Sequence, residues 1–239
     1  MIYPVPDTRY PQFCALARAA EFVGERWTLL IVRELLLGPK RFSDLRDRLA
    51  GIGPSVLTER LTRAEERGLV RRAALPPPAA STVYELTEDG RALKPAILEL
   101  IRWGERYLFP PRKGDRFEPE WARLALAAYA RRGPSPRRSI QMRIREGSKE
   151  ATVHVAGGPS GTVVSDALAP SEATLVTSTR TLMGLISGAL RVKAALAAKQ
   201  VAVSGEPTAL ADLPRLFEKI GPRHDESASG ARGSRRTTV

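Results

Sequence analysis

Between Pro54 and Arg67 the chain reads PSVLTERLTRAEER, and its polar residues fall on one side of a helix. On a wheel at about 100° per residue, Leu57, Leu61 and Ala64 share a face that must be buried. Ser55, Glu59, Thr62 and Glu66 lie opposite, with Thr58 and Arg63 beside them. Hydroxyls, a carboxylate and guanidinium groups on one outward face can recognise nucleic acid. A carboxylate accepts from the cytosine amino group, threonine methyls pack on thymine methyls, and cations take phosphate oxygens. This chemistry selects Ser55, Thr58, Glu59 and Thr62 as base readers, and Lys40, Arg41, Arg46, Arg60, Arg63 and Arg72 as phosphate contacts. The plainer role for Arg46 and Arg60 is solvation of a helix surface.

The surrounding elements place that helix. After Gly38-Pro39 a short helix follows, with Ser43 as its cap, Asp44 at its positive end, and Leu45 and Leu49 on its buried side. Gly51 and Gly53 permit a tight turn, and Pro54 suits a first helical position. Two helices joined this way form a helix-turn-helix, whose second helix enters the DNA major groove. Leu69–Leu75 and Val83–Leu86 read as strands around a loop at 76–81, which adds a wing. Upstream, Cys14–Leu37 reads as two helices broken at Gly24. Ala15, Ala19, Phe22 and Val23 give the apolar face of the first, and Trp27, Leu30, Ile31 and Leu35 that of the second. Thr87 is placed to cap a long helix running to about Leu108, with Leu93, Ile97, Leu100, Ile101 and Leu108 on its apolar side.

Composition narrows the classes. The 239 residues are 43% hydrophobic and 27% charged, as in a folded protein, with a net charge of +12 that favours an anionic partner. The charge is uneven. Residues 40–72 hold nine lysines and arginines against five acids, residues 110–138 eight against three, and residues 139–221 nine against seven. One cysteine, Cys14, forbids an internal disulfide, and with only two histidines beside it no zinc site is expected. No metal and no cofactor is expected. The N-terminal residues lack a signal pattern and no apolar run approaches membrane-spanning length, so the expectation is a cytoplasmic protein with no membrane partner.

The second half has its own pattern. Residues 109–115 read as linker, and Glu118–Arg131 as a helix. Ser139–Arg145 alternates Ile140, Met142 and Ile144 with polar residues, the mark of a half-buried strand. Ala151–Val155, Gly161–Val164, Ala173–Thr177 and Val201–Val203 read as strands. Leu182–Ile186, Val192–Ala198 and Ala209–Ile220 read as helices. From Pro222 the apolar content is too low to fold. The expected fold class is α+β: a winged helix-turn-helix domain over residues 7–109, a linker at 110–117, a smaller α+β domain at 118–221, and a disordered tail at 222–239.

Three segments carry a resemblance: ERWTLLIVRELLLGPKRFSDL at Glu25–Leu45, GIGPSVLTERLTRAEERGLVRR at Gly51–Arg72, and VYELTEDGRAL at Val83–Leu93. In order and spacing they resemble the HxlR family of bacterial winged-helix transcription regulators. The resemblance implies a homodimer, built from the first and last helices of the domain, on an inverted-repeat operator. Cys14 stands where some members carry an oxidant-sensing cysteine, which makes it a candidate redox residue, although Ala15 replaces the usual proline. Arg18 and Arg26 are near enough in sequence to lower its pKa. The expectation for Cys14 is nevertheless a structural role, as a small residue packing the first helix. Gly53 and Ser55 replace a serine and a lysine that often flank the recognition-helix proline, so a cap and a phosphate contact are weaker.

The stretch EATLVTSTRTLMGLISGALRVKAALAAKQVAVSGEPTALADLPRLF resembles a sterol-carrier-protein-like domain, with strand, helix, glycine turn, helix, strand, Gly205 and helix in order. That resemblance implies an apolar tunnel and a hydrophobic small-molecule effector. Leu124, Met142, Ile144, Leu182, Met183, Ile186 and Leu196 are the candidate lining, each equally well explained as core. Arg180 and Arg191 flank the helix pair. The leading reading is a DNA-binding transcription regulator controlled by an apolar effector. The other is a hydrophobic-ligand carrier whose winged helix serves only dimerisation. No phosphate loop, nucleophile elbow or paired acid–base spacing appears, so an enzyme is not expected.

Overall fold

The computed structural model describes residues 9–76, 81–108 and 112–218. The chain divides into two compact units. One contains the residues up to Ile101 together with Phe117–Ala128; the other contains Arg102–Arg116 and the residues from Tyr129 onward.

The first unit opens with α1 (Ala15–Val23), α2 (Thr28–Leu36), α3 (Phe42–Arg48) and α4 (Pro54–Glu66). Strands β1 (Val70–Ala74) and β2 (Thr82–Leu86) pair antiparallel, Val70 opposite Leu86 and Ala74 opposite Thr82. After α5 (Glu88–Ala92), α6 (Lys94–Gly104) begins in this unit. The core gathers Ile31, Val32 and Leu35 of α2, Leu45 and Leu49, then Leu57, Leu61 and Ala64 of α4, with Leu86 and Ile97. The wheel's buried face of α4 is therefore the buried face in three dimensions. Gly51 adopts φ +92°, a left-handed turn that a side chain would strain. Gly53 is extended at φ −75°, so only one of the two glycines is required by the turn.

Three local expectations change. The cap of α3 is Arg41 rather than Ser43: Asp44 Oδ2 accepts from the Arg41 backbone N–H at 2.9 Å, because an acid at the third position reaches back better than a hydroxyl at the second. Thr87 does cap, its Oγ1 accepting from Gly90 N at 3.1 Å, but the helix it opens stops at Ala92. Pro95 has no N–H to continue the ladder, so α6 starts afresh, and Glu105–Tyr107 tightens to a 3-10 helix. On α1, Ala17 and Glu21 are buried while Ala15 and Ala19 are exposed, because a hydrogen-bonded Glu21 takes the inward position. Its carboxylate accepts from Tyr10 N at 2.7 Å and from Arg18 at 3.1 Å.

Phe117 was expected to end the linker and Glu118 to open the second domain, but Phe117–Ala128 belongs to the first unit. It carries most of α7 (Trp121–Tyr129). Polar contacts to α2 and α3, described below, hold it there.

The second unit is a five-stranded sheet of order β5-β4-β3-β6-β7. The strands are β3 (Ser139–Glu146), β4 (Lys149–Gly158), β5 (Gly161–Ser165), β6 (Ala173–Thr177) and β7 (Val201–Gly205). β3 runs parallel to β6, and the other pairs are antiparallel. Register places Met142 between Val153 and Leu175, so the alternating apolar residues of three strands share one face. That face is covered by α8 (Thr179–Ile186) and by a 3-10 helix at Pro207–Leu216. α9 (Val192–Ala197) lies against β7. The last helix was expected as α-helical over Ala209–Ile220. Pro207 and Pro214 remove backbone donors and leave a 3-10 form. Ile220 and the tail from 222 lie outside the described residues.

Candidate nucleic-acid interface

α4 is a thirteen-residue helix with Pro54 at its start, where a missing N–H costs nothing. Leu57 N donates to Gly53 O at 2.9 Å, so the first turn is closed without a side-chain cap. Ser55, Thr58, Glu59 and Thr62 are all exposed on its outer face. Thr58 Oγ1 donates back to Pro54 O at 3.0 Å, which fixes its hydroxyl.

The arginines beside this face are organised around one carboxylate. Glu25, just before α2, pairs with Arg60 at 2.5 Å, Arg63 at 3.0 Å and Arg67 at 2.7 Å. Arg63 also holds Glu59 at 2.9 Å, and Arg60 lies 3.2 Å from the same residue. Arg67 is buried and donates to Phe22 O at 2.9 Å, so it ties α4 to α1. Burial pushes the Glu25 carboxyl up, but hydrogen bonds from Arg67 and Arg63 outweigh it and hold the group below the ordinary carboxylate range. Its stabilising effect is therefore full above that range and is lost as pH falls through the depressed folded value.

The remaining phosphate candidates are spread. Arg41 is exposed at the head of α3, and Arg46 is exposed with Asp47 at 3.5 Å. Arg72 pairs with Glu65 at 3.1 Å and lies over the Tyr84 ring. Lys40 is mostly enclosed. Its backbone bridges to Tyr84, its ammonium lies 3.9 Å from Glu120, and burial lowers its pKa. The wing tip at 77–80 lies outside the described residues.

Cys14 departs from its expected role. It is exposed at the head of α1, with no core to pack. Backbone N–H groups of Ala17 and then Leu16 lower its pKa. The sequence pointed instead to Arg18 and Arg26, but Arg18 is engaged with Glu21 and Arg26 lies over Trp27. Exposure and a lowered pKa are the two conditions a reactive thiol needs.

The candidate effector residues separate. Met142, Ile144, Leu182 and Ile186 are buried between sheet and helices of the second unit, and Met183 is half-buried. Leu124 belongs to the first unit. Leu196 lines an open cleft of about 510 Å³, together with Val176, Val201, Arg145 and Lys199. Among the described residues no group of three His, Cys, Asp or Glu is placed to hold a metal, and no helix is long and apolar enough to cross a membrane.

The HxlR-like helix-turn-helix family matches residues 22–111. The HTH-type transcriptional regulator YvaP of Bacillus subtilis is 36% identical over 93 residues, which cover 39% of this chain and 86% of that protein. The chain belongs to the HxlR family. An HTH-type transcriptional regulator of Mycobacterium tuberculosis is 44% identical over 97 residues, 41% of this chain and 61% of that relative, so the chain spans under two thirds of the latter's length. The reduced form of the transcriptional regulator YodB from B. subtilis is a solved structure with 32% identity, covering 42% of this chain and 100% of that one at a TM-score of 0.36.

α7 lies beyond the residues that match the HxlR family, and it is docked on them through Glu34 of α2. This carboxylate is fully buried. It accepts from Arg33 Nη2 at 2.6 Å, Arg48 Nε at 2.7 Å and Trp121 Nε1 at 2.7 Å. Arg48 continues to Glu120 at 2.6 Å, the Arg33 guanidinium lies 4.1 Å from the Trp121 ring centre, and Arg123 donates to Leu36 O at 2.9 Å. The sequence reading missed this cluster, as it missed Glu25 and Arg67. A lone acid in an apolar helix was the one available signal.

Proposed function

We propose that the protein is a DNA-binding transcription regulator that acts as a homodimer on an inverted-repeat operator. The observation that carries this reading is the exposed row Ser55, Thr58, Glu59 and Thr62 on a helix whose other face is fixed in the core. The family's named relatives are HTH-type transcriptional regulators, which supports it. Exposed Phe13, Leu16, Leu30 and Leu100 in the first unit support pairing of two copies. Selection from a random duplex pool should return two half-sites about 34–36 Å apart. Equal affinity for every sequence at near-physiological salt would defeat the proposal.

The arginine geometry sharpens the division of labour. Arg63→Ala should weaken binding to all duplexes and reduce the salt slope by about one unit per protomer, while Arg60 remains to hold Glu59. Glu59→Ala or Thr58→Ala should change base preference at one operator position, by ~1–3 kcal/mol. Identical behaviour of the three variants in binding titrations would contradict this assignment.

For the second unit we read a sterol-carrier-like fold that takes an apolar effector. The order β6, α8, glycine turn, α9, β7, Gly205 and 3-10 helix supports it. The cleft beside Leu196 gives an apolar surface with Arg145 and Lys199 at its edge for an acidic head group. Palmitate at a hundredfold excess over its Kd should stabilise the protein by about 2.7 kcal/mol. No change in thermal unfolding would leave this unit without that role. A carrier whose winged helix only dimerises predicts palmitate binding with no sequence-specific DNA binding.

A further inference from the structure

The stretch RRGPSPRR at Arg131–Arg138 is not used by the reading above, yet it is the most basic run in the second unit. It joins α7 to β3 and is held along its length. Arg131 N donates to Leu216 O at 3.1 Å, and Thr162 N donates to Arg131 O at 2.8 Å. Ser135 N donates to Gly158 O at 2.9 Å, Gly158 N donates back to Ser135 Oγ at 3.0 Å, and Gly157 N donates to Arg138 O at 2.8 Å. The loop lies directly on the β4–β5 hairpin. A Cβ at Gly157 would overlap the Pro136 carbonyl oxygen, and one at Gly161 would sit 2.5 Å from the Arg131 carbonyl oxygen. Pro134 and Pro136 stiffen it further.

A fixed backbone presents its cations without the ordering cost of a mobile loop. Arg131, Arg132 and Arg137 are exposed, and Arg215 of the last 3-10 helix is 71% exposed. Arg131 Nε donates to Arg215 O at 2.9 Å, and Arg131, Ser135 and Arg215 line one open cleft of about 320 Å³. The nearby acids are largely committed. Asp212 pairs with Arg138 and Arg215, Glu172 with Arg138, and Glu218 with Arg102 while also accepting from Arg132 N. Among the described residues no acidic side chain pairs with Arg131 or Arg137.

We propose that this arginine-bearing loop, with Arg215, is a second nucleic-acid contact that grips phosphates of the duplex flanking the operator. The proposal rests on the reading of α4 as a DNA-recognition helix. Guanidinium forks match phosphate oxygens, and a shallow strip of cations suits a polyanion more than an enclosed small molecule. The loop adds affinity and no base preference.

The test uses the full chain and two duplexes carrying the selected site. One is limited to the operator; the other is extended by about two helical turns on each side. The Arg131→Gln/Arg137→Gln/Arg215→Gln variant should lose salt dependence on the extended duplex only. Its slope of log K against log salt should fall by about 2.7 units per protomer, about 5.4 for the dimer, near 0.9 per phosphate released. Base preference should match wild type, and the corresponding triple lysine variant should recover the slope, which separates loss of charge from loss of fold. An unchanged slope on the extended duplex, or an equal fall on both, overturns the proposal. If wild type shows no preferred site, the reading of α4 fails, while the same comparison on an arbitrary long duplex still tests the loop: an unchanged slope there also overturns it.

Discussion

Glu34→Ala is expected to destabilise the first unit by about 3–5 kcal/mol, the usual result of removing one partner from a buried ion cluster. The carboxylate is fully buried and is shared by Arg33, Arg48 and the Trp121 indole. Alanine leaves the Arg33 guanidinium without its counter-charge, Arg48 with Glu120 alone, and an indole N–H without its acceptor. Arg33 and Arg48 keep 20% and 17% side-chain exposure, so partial rehydration places the cost toward the lower end of that range. Glu34→Gln should cost less, because the amide oxygen still accepts from Trp121 while the charge is gone. Urea unfolding followed by circular dichroism checks both. A loss for Glu34→Ala under about 1 kcal/mol, the worth of an exposed pair, would show that the cluster is dispensable. Because α7 depends on this cluster, Trp121 should become solvent-quenched in the alanine variant before the rest of the unit unfolds.

Leu57→Ala should cost about 2–5 kcal/mol, since the side chain is wholly buried and its removal leaves a cavity that helices on all sides can only partly close. Its consequence for binding should be larger than its distance from DNA implies. Leu57 sits on the back of α4, between the outward Thr58 and Pro54, so loosening it shifts the whole reading face. Thr62→Ala on the opposite face should change stability by no more than about 0.5 kcal/mol. With two compact units, unfolding need not be a single transition, so the first unit's transition is the one to compare. If Leu57→Ala and Thr62→Ala unfold at the same urea concentration, the assignment of α4's faces is wrong.

That assignment was legible in the sequence. The burial of Leu57, Leu61 and Ala64 follows from a 3.6-residue period, and the start of α4 from Pro54 after a left-handed Gly51. The strands of both units were legible for the same reason, since alternation such as Ile140, Met142, Ile144 is a local signal. What the sequence could not decide was which charges meet. Arg60 and Arg63 read as phosphate contacts and Arg67 had no role, yet the three converge on Glu25, about forty residues away, where the chain between α1 and α2 meets α4. Trp121 read as part of a second domain, yet its indole reaches Glu34 across 87 residues. Cys14 read as a core residue from its apolar neighbours, yet Ala17 and Glu21 face inward instead. Periodicity determines which side of an element is apolar. The partner of a buried charge, and the element that covers a face, depend on how separate segments dock, and only the tertiary structure decided those.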